Sequence, residues 1–444
     1  MSVFAADKSY CFRVYLKEKG PTSFDPASPE DFLSPESVNR RMLHEVFVDE
    51  TDFPVSKAYL DELEAVGTAP VLQSKWMKTV VVECADSAVV ERIMGLSFVD
   101  SVVCVWHDEG RQDDVPCPEE DTSRFVSDDE TAENVYGKAI EQIEMLNGIR
   151  LHEAGYRGKD MRIAVIDAGF RNVDNIGAFS SLKLIGTHNV TFPGRSVFCA
   201  DNHGTKVLSC MAADLKGVMV GTAPDASYLL IKSEDTRGEF PIEEDYWAAA
   251  VEYADSVGVD IISTSLGYFR FDSLPDYYKR TDIDGRTAFS SRIAEIASKK
   301  GILIVASAGN EGNDDWEKIT FPADANSVLA VGSVTSDKKK SSFSSVGMTA
   351  DYRIKPDVVA LGSWVCVIND AGKVQHSNGT SFSAPTVSGM VACLWQAFPL
   401  LKNTELIELV KTTASQHQHP DNQLGYGIPD IFNAYKKAQN EVLR

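Results

Sequence analysis

Four polar residues stand where chemistry could be done, each beside a run of apolar residues. Ser381 lies in "HSNGTSFSAPTVSGMVACLW" (376–395), where small and hydroxyl residues precede what reads as a buried helix. A helix N-terminus offers unpaired amides and the positive end of a dipole, so negative charge developing there is favoured. The same segment also reads as an ordinary capped helix. His203, in "DNHGTKVLSCMAA", occupies a tight turn before another helical run, as a positioned base or as a surface histidine. Asp167 closes the apolar "MRIAVID". A carboxylate there can start a turn, or it can fix an imidazole tautomer and stabilise the imidazolium. Asn310, in "LIVASAGNEGND", is either a turn residue or an amide that donates to a developing oxyanion, a contribution of about 3 kcal/mol to a barrier. A serine hydroxyl is a poor nucleophile until a base takes its proton. Asp, then His, then Ser, each at an element end, is a coherent arrangement for acyl transfer.

Other chemistries fit less well. An esterase built on G-x-S-x-G would need a second glycine, but Gly379-Thr-Ser381-Phe-Ser383 has serine there. Its chain order would also be Ser, acid, His, and the only acids between Ser381 and His417 are Glu405 and Glu408, on an apparent helix face. His417 and His419 have the spacing of a weak metal pair without an evident third ligand, so no zinc is assigned. None of the eight cysteines forms a CxxC pair, which disfavours a zinc ribbon or thioredoxin-like site. They can be buried thiols or disulfides, and sequence alone does not pair them.

The elements that must position these residues divide the chain. From Tyr136 onward, apolar strands ("RIAVID", "SYLLIKS", "VDIISTSL", "ILIVASAG", "SVLAVGSV") alternate with helical stretches such as "EEDYWAAAVEYADSVG" and "SSRIAEIASKKG". Short, fully apolar strands between helices predict a parallel sheet buried on both faces, with function at the carboxyl ends of its strands. Residues 9–107 read as a small α+β unit in the order strand–helix–helix–strand–helix–strand. Between them, residues 108–135 are dense in Asp and Glu and lack apolar periodicity, so they read as an exposed linker and a natural place for cleavage.

Whole-chain totals set outer limits. A length of 444 residues allows two or three domains, and 43% hydrophobic residues suit a globular protein. The net charge of −22 argues against nucleic-acid binding, because phosphates would be repelled. No apolar run is long enough to span a membrane, so no membrane insertion is expected.

Taken together, "IAVIDAGF", "DNHGTKV", "TSLG", "SAGNEG" and "NGTSFSAP" resemble, in order, the segments of the subtilisin-like serine proteases. The resemblance implies a three-layer α/β catalytic domain over 136–444, with a mainly parallel central sheet. It implies peptide-bond hydrolysis with Ser381 as nucleophile, His203 as general base and acid, Asp167 as its orienter, and Asn310 in the oxyanion hole. Peptide or protein substrates would lie as an extended strand between Ser265-Leu266-Gly267 and Ser307-Ala308-Gly309. Phe321-Pro322 stands where the family has a cis-proline turn. Thr320 stands where many relatives have a glycine at the floor of the first specificity pocket, so a shallow pocket that disfavours large aromatic residues is expected. Ala168 stands where Thr or Ser is usual, Lys206 where a second histidine is common, and Phe382 where Met is common. No cofactor or metal is assigned; structural calcium is left open because the family's ligands are not matched.

Residues 9–107 resemble the family's propeptide in its extended form, as in secreted Bacteroidetes subtilases. This implies a front domain that acts as intramolecular inhibitor, and a self-processing zymogen cut between His107 and Tyr136. Val3-Phe4-Ala5 resembles a signal-peptidase site, so residues 1–8 are expected to be a signal-peptide remnant, and the protein a secreted or periplasmic monomer. Two rival readings are a pseudoprotease that only binds peptides in the same cleft and a protease latched permanently by its front domain.

Overall fold

The computed structural model describes residues 9–107, 133–272, 274 and 276–442. The expected remnant at 1–8 and the expected linker up to residue 132 lie outside these residues.

The front unit contains β1 (Tyr10–Leu16), α1 (Pro35–Leu43), α2 (Lys57–Ala65), β2 (Ala69–Ser74), β3 (Thr79–Cys84), α3 (Val89–Met94) and β4 (Val99–His107). Its strands form an antiparallel sheet in the order β2-β3-β1-β4. The sequence reading lacks β2, whose alternation is weakened by half-exposed residues. Pro70 is tolerated there because β2 is an edge strand. Along β1 the period of two divides the side chains between two partners. Phe12, Val14 and Leu16 face Leu63 of α2 and Val89 and Ile93 of α3. Cys11, Arg13 and Tyr15 face the rest of the molecule.

The larger unit continues with α4 (Ile140–Glu144), α5 (Ile149–Glu153), β5 (Arg162–Asp167), β6 (Lys183–Asn189) and α6 (His203–Ala212). A short hairpin of β7 (Asp214–Leu215) and β8 (Met219–Val220) follows, then β9 (Ser227–Lys232), α7 (Ile242–Val257), β10 (Ile261–Thr264), α8 (Phe289–Lys299), β11 (Leu303–Ser307), β12 (Val328–Val334) and β13 (Val358–Leu361). A second hairpin, β14 (Val365–Ile368) and β15 (Val374–Ser377), leads into α9 (Thr380–Ala397), α10 (Asn403–Thr412) and α11 (Ile431–Val442).

The central sheet has seven strands in the order β13-β12-β11-β10-β5-β9-β6, with every pairing parallel. Ile163 and Val165 of β5 point to α6 and α9 on one face. Ala164 and Ile166 point to α7 and α8 on the other. Both faces are therefore dry, which is why the strands read as continuous apolar runs. The edge strand β6 was missed for the opposite reason: half-exposed and broken by Gly186 and His188, it carries no such run.

The front sheet sits across α7 and α8. Arg13 donates from Nε and Nη2 to Asp245 at 2.7 and 2.6 Å, and its guanidinium lies 3.9 Å from the centre of the Phe289 ring. Glu252 accepts from Ser74 Oγ at 2.6 Å and from the Lys75 and Trp76 amides at 3.0 and 3.1 Å. Cys11, Cys84, Cys104, Cys210, Cys366 and Cys393 are thiols outside any disulfide, and Cys199 is disulfide-bonded.

Candidate active site

Asp167 ends β5 at the carboxyl edge of the sheet and is fully buried. Its Oδ1 accepts from the Ala168 amide and lies 2.8 Å from Nδ1 of His203. His203 is the first residue of α6, and its own amide is held by Asp201 Oδ1 at 2.7 Å. The glycine after it has a steric purpose. A Cβ on Gly204 would lie 2.5 Å from the Gly169 carbonyl and 3.0 Å from Asp167 Cβ. Only glycine lets the α6 N-terminus press so closely on the aspartate. Burial disfavours the His203 cation, but the charge of Asp167 and its hydrogen bond outweigh burial, and the imidazole pKa is raised. The ring keeps 31% exposure, so it stays open to a ligand. Among the described residues, Oδ2 of Asp167 is buried without a hydrogen-bond partner, and the neighbouring Ala168 has no hydroxyl to offer it.

Ser381 is the second residue of α9, and here the structure corrects the reading of an ordinary capped helix. The N-cap is Gly379, which has no side chain to cap with. Asn310, at the loop after β11, supplies the missing acceptor: its Oδ1 takes the Thr380 amide at 2.9 Å and the Thr380 hydroxyl at 3.1 Å. The Thr380 hydroxyl in turn accepts from the Gly309 amide at 3.2 Å. With Oδ1 so occupied, Asn310 Nδ2 is left to donate elsewhere. A Cβ on Gly379 would stand 3.6 Å from the Ser381 amide and 3.7 Å from Asn310 Nδ2. The two donors therefore flank one small space, kept open by glycine. Sequence reasoning undervalued Thr380, which looked like one more small residue before a helix yet joins Asn310 and Gly309 to the start of α9.

Pro385 adds a second local consequence. It has no N–H to return to the carbonyl four residues earlier, which is that of Ser381. Ser265 Oγ donates to that carbonyl instead, at 2.9 Å. The Ser381 hydroxyl donates to the Ser265 carbonyl at 3.5 Å. Among the described residues it makes no hydrogen bond to His203, although the Phe382 ring centre is 6.0 Å from the His203 ring centre. Such bonds often tighten only when substrate binds.

The expected substrate segments continue β10 and β11. Ser265 follows β10, and Leu266 and Gly267 lead to Tyr268, which exchanges two 2.9 Å backbone hydrogen bonds with Phe321. Ser307 ends β11, with Ala308 and Gly309 after it. Thr320 lies between the two: its amide donates to the Ala308 carbonyl at 3.1 Å. A Cβ on Gly267 would lie 2.2 Å from Thr320 Oγ1, and one on Gly309 would lie 2.9 Å from Thr320 Cγ2. The threonine side chain thus fills the slot between the segments. The Phe321–Pro322 bond is cis. Glu311, beside Asn310, has its carboxyl pushed up to about 7 by burial and by the hydrogen bond and charge of Asp314. Among the described residues, no group of three His, Cys, Asp or Glu side chains is arranged to hold a metal. No described helix is long and apolar enough to cross a membrane.

Comparison with known proteins agrees with this geometry. The subtilase family profile, peptidase S8, matches residues 158–427. A profile described as the peptidase S8 propeptide domain of Bacteroidota matches residues 11–115. Subtilisin DY of Bacillus licheniformis is 28% identical over 277 residues, 62% of this chain and 90% of the relative. Subtilisin E of Bacillus subtilis (strain 168) is 27% identical over 318 residues, 71% of this chain and 75% of the relative. The major intracellular serine protease of the same strain is 31% identical over 264 residues, 57% of this chain and 74% of the relative. The Asp–His pair at the sheet edge and the serine in the first turn of a buried helix thus belong to a matched catalytic domain, and the chain is a member of the subtilase family, a serine-type endopeptidase preceded by a propeptide domain.

Proposed function

We propose that the protein hydrolyses peptide bonds through an acyl-enzyme on Ser381. His203 takes the hydroxyl proton as Oγ attacks the scissile carbonyl, then delivers it to the leaving amine. Asp167 holds the imidazole with its proton on Nδ1 and stabilises the cation. Asn310 Nδ2 and the Ser381 amide receive the oxyanion. Water then repeats the sequence on the acyl-enzyme. The 2.8 Å Asp167–His203 contact, at the same sheet edge as the Ser381 turn, carries this reading.

The substrate acyl side would lie between Ser265–Gly267 and Ser307–Gly309, with Thr320 making a shallow pocket that disfavours large aromatic residues before the cut. The front domain, residues 9–107, would inhibit the catalytic domain, residues 136–444, until the chain is cut between them and the front domain is released. The disulfide at Cys199 supports maturation in an oxidising compartment, secreted or periplasmic. A fluorophosphonate probe and intact masses test the reading together. The wild type should label and shorten, while Ser381→Ala should do neither. Equal masses and no labelling of either protein, even with the front domain removed, would make the cleft a peptide-binding site without catalysis; labelling only after its removal would make the protein a latched protease.

A further inference from the structure

Trp364, in the corner between β13 and β14, combines two unusual features. Its side chain is 70% exposed, whereas Trp247 and Trp395 are buried. Its φ of +61° lies in the left-handed region, which a bulky residue occupies only when its surroundings impose it. Those surroundings are the approach to Ser381. The Trp364 amide donates to Asn378 Oδ1 at 2.6 Å, and the Gly362 carbonyl accepts the Gly379 amide at 2.8 Å. Ser363 Oγ is held 2.7 Å from Ser341 Oγ. The corner is thus tied to the segment that reaches Ser381 within three residues. The indole lies flat on His376 of β15, ring centres 4.9 Å apart and planes 12° from parallel, with its outer face in solvent.

The direction of a bound chain follows from the front domain. Strand β4 ends at His107, and Trp106 packs on Phe240 with ring centres 6.4 Å apart, in the connection after β9. The last described strand of the front domain thus meets the catalytic unit on its β9 side, the side from which the acyl part of a bound chain would enter. In the sheet order, β13 lies on the opposite flank of β10 and β11. Residues beyond the cut therefore leave toward the corner that carries Trp364.

We infer that Trp364 and His376 form a subsite for an aromatic or branched apolar side chain on the leaving-group side of the scissile bond. This rests on the proposed cleft and deepens it. A stacked or edge-on aromatic contact on this shelf would raise kcat/KM about 3- to 10-fold.

The test uses internally quenched peptides that are identical up to the cut and carry Gly, Leu or Phe in the two positions after it. A p-nitroanilide, which has no residue beyond the cut, is the control. Wild type should prefer Phe and Leu over Gly. Trp364→Asn, chosen because asparagine accepts a left-handed backbone, should lose that preference, and Trp364→Phe should retain most of it. All three should hydrolyse the p-nitroanilide equally. An unchanged preference in Trp364→Asn overturns the subsite and leaves the protease reading intact, as does an equal fall on the p-nitroanilide and every peptide. If wild type cleaves nothing and matches Ser381→Ala, the cleft reading falls and the subsite with it.

Discussion

At the scale of single residues, the site's behaviour turns on which groups are charged near neutrality. A general base works in its neutral form, and Asp167 raises the pKa of His203. The acidic limb of kcat/KM against pH should therefore lie above the ordinary imidazole range. Asp167→Asn should move that limb down and lower kcat by about 10⁴-fold; a limb that stays in place would mean another group sets it. Glu311, pushed up to about 7, titrates in the same region. Once ionised, it puts a negative charge beside the proposed oxyanion donor Asn310. Glu311→Gln should keep the His203 limb and remove a shallow decline at higher pH, which separates the two titrations. Thr320 governs selectivity rather than ionisation. Removing its side chain from between Gly267 and Gly309 should raise kcat/KM for Phe before the cut relative to Ala, by about 10-fold or more. An unchanged Phe/Ala ratio in Thr320→Gly would place the limit elsewhere.

At the scale of elements, legibility followed burial only in part, since β13 and β14 are fully buried and neither was read from the chain. The strands β5, β9, β10, β11 and β12 and the helices α7 and α8 could be read from the chain because a sheet covered on both faces requires uninterrupted apolar runs. The edge strands β2 and β6 could not, since half-exposed strands mix polarity. Asp167, His203, Asn310 and Ser381 each stood out at an element end. Their mutual supports did not, because these join residues far apart in the chain: Ser265 and Ser381 are 116 positions apart. The start of α9 shows the consequence. Pro385 frees the Ser381 carbonyl and Ser265 Oγ satisfies it, so Ser265→Ala should leave a buried acceptor unpaired, at about 1–3 kcal/mol. In a Pro385→Ala background, the restored N–H can serve that carbonyl within the helix, and Ser265→Ala should cost less. A double-mutant cycle by denaturant unfolding measures the difference; strict additivity would mean that the two groups do not share the carbonyl.

At the scale of the molecule, the front domain is anchored well away from the proposed cleft. Arg40 and Arg41 of α1 reach Asp255 of α7 at 2.5 and 2.6 Å, and Arg41 also grips Asp52 at 2.8 and 2.9 Å. Asp52 in turn accepts from Lys300, just after α8, at 3.0 Å. Charges alternate in sign across the boundary between the units, and all five side chains are buried. Replacing such a network with apolar residues could be neutral, but removing one partner strands the rest, at about 3–5 kcal/mol. Cutting the connecting segment would leave this anchor untouched, so cleavage and release are separate events. Burial would raise the Asp52 pKa, but Arg41 and Lys300 hold it down to about 2. Arg41 lies in the same unit as Asp52 and stays with it on release, so only the Lys300 part of this depression favours docking; that part is present above the undocked pKa and is lost as pH falls toward 2. Ser381→Ala protein, nicked between the units by an added protease, should therefore elute as one species at pH 7 and pH 5. Its front domain should separate only in stronger acid. With Asp255→Ala added, the two pieces should separate already at pH 7. Co-elution of that variant would show that the Arg13–Asp245 pair, the Glu252 hydrogen bonds and the apolar contacts around Phe240 and Ile242 hold the front domain without this network.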